Sequence, residues 1–186
     1  MTINDLVDGL AVELPGCPLA TIRDMLRWAQ RELCAEGNAW ISRDGPVVVA
    51  ANTGHAEIEA PAGAEALRIV SLFDGARRLV PCVDYRQLGP SAVALTRPAD
   101  QSTLRGELAC RPLPGADMPS ELIARWGEAL SDGARYKLLA LPQPWRDMAA
   151  AEFHRRRFIK AQTDARMLAH DGMQCGSVRM RVRRFV

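Results

Sequence analysis

Only two lysines, Lys137 and Lys160, occur in this chain of 186 residues, so arginine supplies nearly all of its positive charge. That bias fits a GC-rich genome as well as phosphate recognition and identifies no ligand by itself. Histidine is almost as scarce: His55, His154 and His170 stand apart, none at a metal-ligating spacing from another His or Cys. The five cysteines, Cys17, Cys34, Cys82, Cys110 and Cys175, are odd in number and scattered. Without a CxxC pair they do not read as a zinc framework, and buried reduced thiols are the expectation. There is no GxGxxG, no GxxxxGKS or GxxxxGKT and no GxSxG, so the phosphate-cradling loops and the nucleophile elbow are missing. No run approaches the roughly 18 consecutive apolar residues of a membrane span. Met1 is followed by Asn4 and Asp5 rather than by a basic region and an apolar run. The expectation is a soluble protein made in a cytoplasm, not an enzyme, with no cofactor, no catalytic residue and no metal site.

What is present is apolar sequence enough for one sizeable core, 48% of the residues. The formal net charge of +2 hides an asymmetry. From Glu152 onward, Arg155, Arg156, Arg157, Lys160, Arg166, Arg179, Arg181, Arg183 and Arg184 face only Glu152, Asp164 and Asp171. A basic end on a faintly acidic body suits an acidic partner surface or a phosphate backbone. For Arg155 to Arg157, simple solvation of a helix face is a serious competitor.

The hydrophobic period changes twice along the chain. Ile3, Leu6, Val7 and Leu10 recur at helical spacing until Pro15 and Gly16. A second helix opens at Pro18 with Leu19, Ile22, Leu26, Ala29 and Leu33 on one stripe, and Gly37 with Asn38 stops it. From Trp40 to about Arg111 the spacing is that of strands, PVVVAA, HAEIEA, ALRIVSLF, RRLVPC, AVALT and LRGELACR, with Phe73-Asp74-Gly75-Ala76 as the clearest hairpin turn. Helical spacing returns after Pro119, where Ser120 suits a cap, breaks at Pro142 and Pro144, and resumes from about Asp147 to Gly172. Trp126, Leu130, Leu138, Trp145 and Phe158 are the expected helical core. Trp28, Trp40, Trp126 and Trp145 read as core or helix-corner aromatics rather than a stacking platform for bases.

In the tail, Val178, Met180 and Val182 alternate with Arg179, Arg181 and Arg183, followed by Arg184, Phe185 and Val186. This is an extended segment with one apolar and one cationic face. A strand so short cannot bury itself, so it reads as an arm completed by another chain. The expected fold is α+β: a helical bundle of about four helices (1–39 and 119–172), an inserted antiparallel β-subdomain (40–112) and an extended C-terminal arm (173–186).

Three segments in this order, LPGCPLATIRDMLRWAQRELCAEGNAWI, IEAPAGAEALRIVSLFDGARRLVPC and WGEALSDGARYKLLALPQPWRDMAAAEFHRRRFIKAQTDARM, resemble the head-to-tail connector or adaptor proteins of tailed bacteriophages. The likeness covers about residues 10 to 170. It rests on packing motifs, chiefly the corner Gly133-Ala134-Arg135-Tyr136-Lys137-Leu138 followed by Pro142, Pro144 and Trp145. The resemblance implies a structural virion protein, a ring usually of twelve copies beneath the portal protein, with a tail, nozzle or further neck protein below. Genomic DNA would pass through its channel without sequence-specific binding. The C-terminal extension, Val178 to Val186, would be the portal-binding element, and the protein would sit at the neck of the virion after assembly in the host cytoplasm. Two other readings stay open: a tail-completion or terminator ring, and a nucleic-acid-binding regulator that grips phosphates with the basic C-terminus.

Overall fold

A computed structural model describes residues 1–49, 54–97 and 104–171. Helix α1 (Ile3–Glu13) starts on a reciprocal cap in which the Asp5 amide donates to the Thr2 hydroxyl and the Thr2 amide donates to the Asp5 carboxylate. Helix α2 (Leu19–Gly37) ends where Asn38 takes a left-handed conformation, φ 52°, and its amide closes on the Cys34 carbonyl. Ile22, Leu26, Ala29 and Leu33 of the expected stripe are buried, whereas Leu19 in the first turn is exposed.

Seven strands follow: β1 (Ile41–Val49), β2 (His55–Ile58), β3 (Ala64–Asp74), β4 (Arg77–Arg78), β5 (Tyr85–Gln87), β6 (Ala92–Leu95) and β7 (Leu104–Pro112). They form one antiparallel sheet in the order β4-β3-β7-β1-β2-β6-β5. The two edge strands, β4 and β5, are neighbours in sequence, so the short connection from Leu79 to Asp84 carries the chain from one edge to the other. That is possible only if the sheet curls. The connection is a tight turn in which the Asp84 carboxylate accepts from the Val80 amide and from Arg77, while the Thr96 amide on the β6 side donates to the Asp84 carbonyl. Ile58 of β2 packs directly on Gly106 of β7; a Cβ on Gly106 would lie 2.5 Å from the Ile58 Cδ1, so only glycine fits.

Two sequence expectations change in detail. Strand β1 begins at Ile41, not at Pro46, because a register shift between Ser42 and Gly45 lets the polar SRDG stretch stay in the ladder. In the β3–β4 hairpin Asp74 pairs with Arg77, so the turn residues are Gly75 and Ala76, and Gly75 alone takes the positive φ of 58°.

Helix α3 (Ser120–Ala140) begins after Pro119, which occupies the cap position, so Ser120 is the first helical residue and caps nothing. Helix α4 (Met148–Asp171) is capped by Asp147, whose carboxylate accepts from the Ala149 and Ala150 amides at 2.9 and 3.0 Å. The architecture is mixed α+β, four helices with a curled antiparallel sheet. Helices and sheet share one apolar cluster that runs from Leu10 and Leu26 through Ile58, Leu72 and Leu108 to Leu130, Leu138 and Phe158. Trp126 and Trp145 are only half-buried at its margin.

Candidate functional site

The nine residues singled out as a partner-binding element, Val178, Arg179, Met180, Arg181, Val182, Arg183, Arg184, Phe185 and Val186, lie outside the described residues, as does Cys175. What the structure does show is the helix that carries them and how its charges are disposed.

Helix α4 is fixed along its length. Leu141, Pro142, Gln143 and Pro144 break the chain between α3 and α4, and the indole of Trp145 turns back to donate to the Leu138 carbonyl at 3.2 Å. Further on, small residues bring the helices close. A Cβ on Gly133 would lie 2.9 Å from both the Ala29 Cβ and the Phe158 ring, and one on Gly37 would lie 2.9 Å from the Ala165 Cβ. The Trp28 ring of α2 stacks at a tilt on Phe158, centroids 5.9 Å apart, and carries the Lys137 ammonium 4.5 Å above its face. Near the end of α4 the Arg166 guanidinium donates to the Glu36 carbonyl at 2.9 Å, satisfying an acceptor at the C-terminus of α2.

The polar centre of this helical region is Asp132, with 4% of its side chain exposed. A carboxylate so placed requires several cationic or hydrogen-bonding partners to offset its lost hydration. It has three: Arg157 at 2.9 Å, the His154 Nδ1 at 2.8 Å and Arg135 at 3.5 Å. Arg135 in turn grips Glu13 of α1 through both carboxylate oxygens at 2.6 and 2.7 Å, and Arg157 also pairs with Glu128. The Arg135 hydrogen bond holds the Glu13 carboxyl below its usual range and raises Arg135 in return. The cluster therefore ties α1, α3 and α4 together. Although an Asp–His pair at 2.8 Å has the geometry of a base with its orienter, the only side-chain hydrogen bond of His154 among the described residues is to Asp132. Sequence reasoning missed this cluster because its members are spread from Glu13 to Arg157 and follow no local spacing.

The arginine run is accounted for internally. Arg155 and Arg156 both close on Glu152, at 2.6 and 2.9 Å, and the hydrogen bond from Arg155, then that from Arg156, pulls the Glu152 carboxyl down to about 2. Arg157 is shared by Glu128 and Asp132, and Arg166 by the Glu36 carbonyl and carboxylate. Of the C-terminal cations on α4, Lys160 alone has no ion pair among the described residues. It faces a hollow of about 480 Å³ beside Trp126, in which Arg125, Arg157 and Lys160 are balanced by Glu128, Asp132 and Asp164. Such a hollow has no preference for one sign of charge.

Elsewhere, Glu65 is clamped by Arg111 at 2.6 Å and Arg31 at 2.7 Å, which lower its carboxyl, Arg111 contributing most. Burial raises the thiols of Cys17 and Cys110 and pushes that of Cys34 up to about 12, so these three are inert as nucleophiles. Cys82 is exposed, in the turn that links the sheet edges. Among the described residues no three His, Cys, Asp or Glu side chains gather as metal ligands would, and no helix is long and apolar enough to cross a membrane. A scan of protein-family models finds no match to this chain, and neither does a search of curated proteins.

Proposed function

We propose that this chain is a structural virion protein, a head-to-tail connector that assembles as a ring beneath the portal of a tailed bacteriophage and joins the DNA-filled head to the tail. In that reading the four helices act as a bundle, the strands as an insertion in it, and the basic C-terminal segment as the portal-binding element. The observation that carries it is the distribution of charge. The last helix uses its arginines, Arg155, Arg156, Arg157 and Arg166, on carboxylates of the body, Glu152, Glu128, Asp132 and Glu36. The segment beyond Asp171 has four arginines and no acid of its own. Charge that the body does not neutralise is available to a partner, and it is delivered by a helix whose position is fixed by close packing.

A ring that binds one neighbour above and another below needs faces for self-association rather than a pocket, and heterologous contacts that close by rotation supply it. Repetition of the arm around such a ring multiplies a weak contact, since each arm is tethered beside its own site once one has docked. Arginines facing an acidic portal surface also speed and orient the encounter. The test is an electron micrograph of the purified protein mixed with its portal. The expected result is a second ring, of about twelve copies on the resemblance to known connectors, stacked coaxially on the portal ring. Portal rings that remain bare at saturating protein would contradict the reading, and strong salt-dependent binding to bare DNA would favour the regulator instead.

A further inference from the structure

The turn from Leu79 to Asp84 that joins the two sheet edges is a rigid apolar knob. Val80 and Val83 are 52% and 64% exposed, and Pro81 and Cys82 between them are exposed as well. Surface turns are built mainly from glycine, asparagine, aspartate and serine, so an apolar tip of this kind marks an interaction surface. Nor is the knob loose. Every amide N–H from Leu79 to Asp84 has an acceptor: Leu79 donates to the Leu72 carbonyl, Val80 to the Asp84 carboxylate, Cys82 to the Tyr85 carbonyl, and Val83 and Asp84 to the Val80 carbonyl. These bonds hold Cys82 at φ 66°, a left-handed conformation that a residue with a Cβ adopts at a cost. Two exposed arginines, Arg78 and Arg86, flank the knob in sequence, and neither has an ion pair among the described residues.

A groove of matching character lies on the same sheet. It is a hollow of about 490 Å³ whose lining includes apolar Val48, Ala60 and Ala66, acidic Glu57 and Glu59, and Ser91. Val48 is 46% exposed and stands directly opposite Glu57 in the β1–β2 ladder, so the two share a face. Glu57 accepts a hydrogen bond from the Ser91 hydroxyl at 3.2 Å, and neither carboxylate has an ion pair among the described residues. The knob is apolar with a basic margin, and the groove is apolar with an acidic one. A groove of this volume takes a few side chains rather than a whole element.

Strand β6 separates the two surfaces. Ser91 precedes it at the groove, and Thr96, just past its other end, donates to the Asp84 carbonyl at the base of the knob. Five residues of strand put these ends about 17 Å apart. A knob fixed in the same hydrogen-bonded sheet cannot enter its own groove, so the occupant that fits is a second copy of this chain. We propose that Val80 and Val83 of one copy seat against Val48, Ala60 and Ala66 of the next, with Arg78 and Arg86 on Glu57 and Glu59. Knob and groove are different surfaces, so the contact is heterologous: a pair of copies keeps one knob and one groove free, and the series closes as a ring or continues as a filament. This inference rests on the reading of the chain as a ring-forming protein and supplies a contact for that ring.

Sedimentation of the intact protein across a concentration series tests it. Val80→Ser/Val83→Ser and Glu57→Arg/Glu59→Arg should each raise the dissociation constant for self-association at least about tenfold, the first by removing the apolar contact and the second by setting arginine against arginine. Salt at about 1 M should weaken association of the wild type, because it screens the same pairs. Combining Glu57→Arg/Glu59→Arg with Arg78→Glu/Arg86→Glu in one chain should restore association. Mixing the serine variant, whose groove is intact, with the Glu57→Arg/Glu59→Arg variant, whose knob is intact, should give one-to-one dimers that grow no further. Wild type that stays monomeric at about 1 mM, variants that associate as the wild type does, or mixtures that remain monomeric would overturn the proposal. Micrographs of the same variants with the portal separate the two readings. Rings that form on the portal equally well with the serine variant reject this contact and leave the connector standing. Association through knob and groove beside bare portals does the reverse.

Discussion

Glycines at helix contacts show how a single atom decides between opposite outcomes. Gly127 and Gly133 both lie inside α3, where replacing glycine by alanine favours the helix by about 1 kcal/mol. At Gly127 the added Cβ meets the end of the Met1 side chain, which can swing away, so Gly127→Ala is expected to raise stability by up to about 1 kcal/mol. At Gly133 it meets the Ala29 Cβ and the Phe158 ring, neither of which can move without shifting a helix. Gly133→Ala should therefore destabilise by about 1–2 kcal/mol despite the better propensity. Denaturant melts of the two variants check the sign of each. Trp145→Ala removes a half-buried indole together with its hydrogen bond to Leu138, and about 2–3 kcal/mol is the expected loss, below that of a fully buried aromatic. An unchanged midpoint would mean that the indole is not what holds the corner.

At the scale of elements, the paired carboxylates set how helices and sheet respond to acid. Glu13, Glu65, Asp84 and Glu152 all have folded-state carboxyls below their ordinary values, owing respectively to Arg135, to Arg111 with Arg31, to the Val80 amide and to Arg155 with Arg156. A lowered carboxyl binds its proton later in the folded chain than in the unfolded one. The stability it contributes is thus complete above the unfolded value and is lost as the pH falls through the folded one. Melting temperature is expected to be flat from neutral pH down to about 5 and to fall from there toward pH 2. A decline that began above pH 6 would point to a different titrating group. Asp132→Ala should weaken the helical region by about 1–3 kcal/mol, since it removes the buried carboxylate shared by Arg157, Arg135 and the His154 ring, while Arg135 keeps Glu13 and Arg157 keeps Glu128; thermal melts compared with Asp132→Asn, which keeps the volume, measure it.

What sequence made legible at this scale follows a physical rule. Helices α1 and α2 were readable because their buried residues recur locally, Ile3-Leu6-Val7-Leu10 and Ile22-Leu26-Ala29-Leu33. The Pro142–Trp145 corner was readable because proline acts on its own neighbours. Strand β5 escaped notice, since Tyr85, Arg86 and Gln87 have a single buried residue and owe their conformation to pairing with β6. The curl of the sheet was equally hidden: it follows from a strand order that puts β4 and β5 at opposite edges, and contacts such as Ile58 on Gly106, 48 positions apart, leave no local period. The Asp132 cluster is illegible for the same reason.

For the whole molecule, the proposed reading joins a body whose last helix has its arginines paired to carboxylates with a basic C-terminal segment as the attachment to a larger assembly. Protein purified without an affinity tag is expected to contain no stoichiometric zinc or iron by elemental analysis. A tightly bound metal would contradict that part. The most direct measurement is attachment to DNA-filled heads of the protein lacking Ser177 to Val186, read beside its thermal melt. The expected result is a melting temperature within about 2 °C of the full chain's, since the apolar cluster is complete without residues 177–186, together with loss of attachment. Heads that bind the shortened protein as well as they bind the full chain would contradict it.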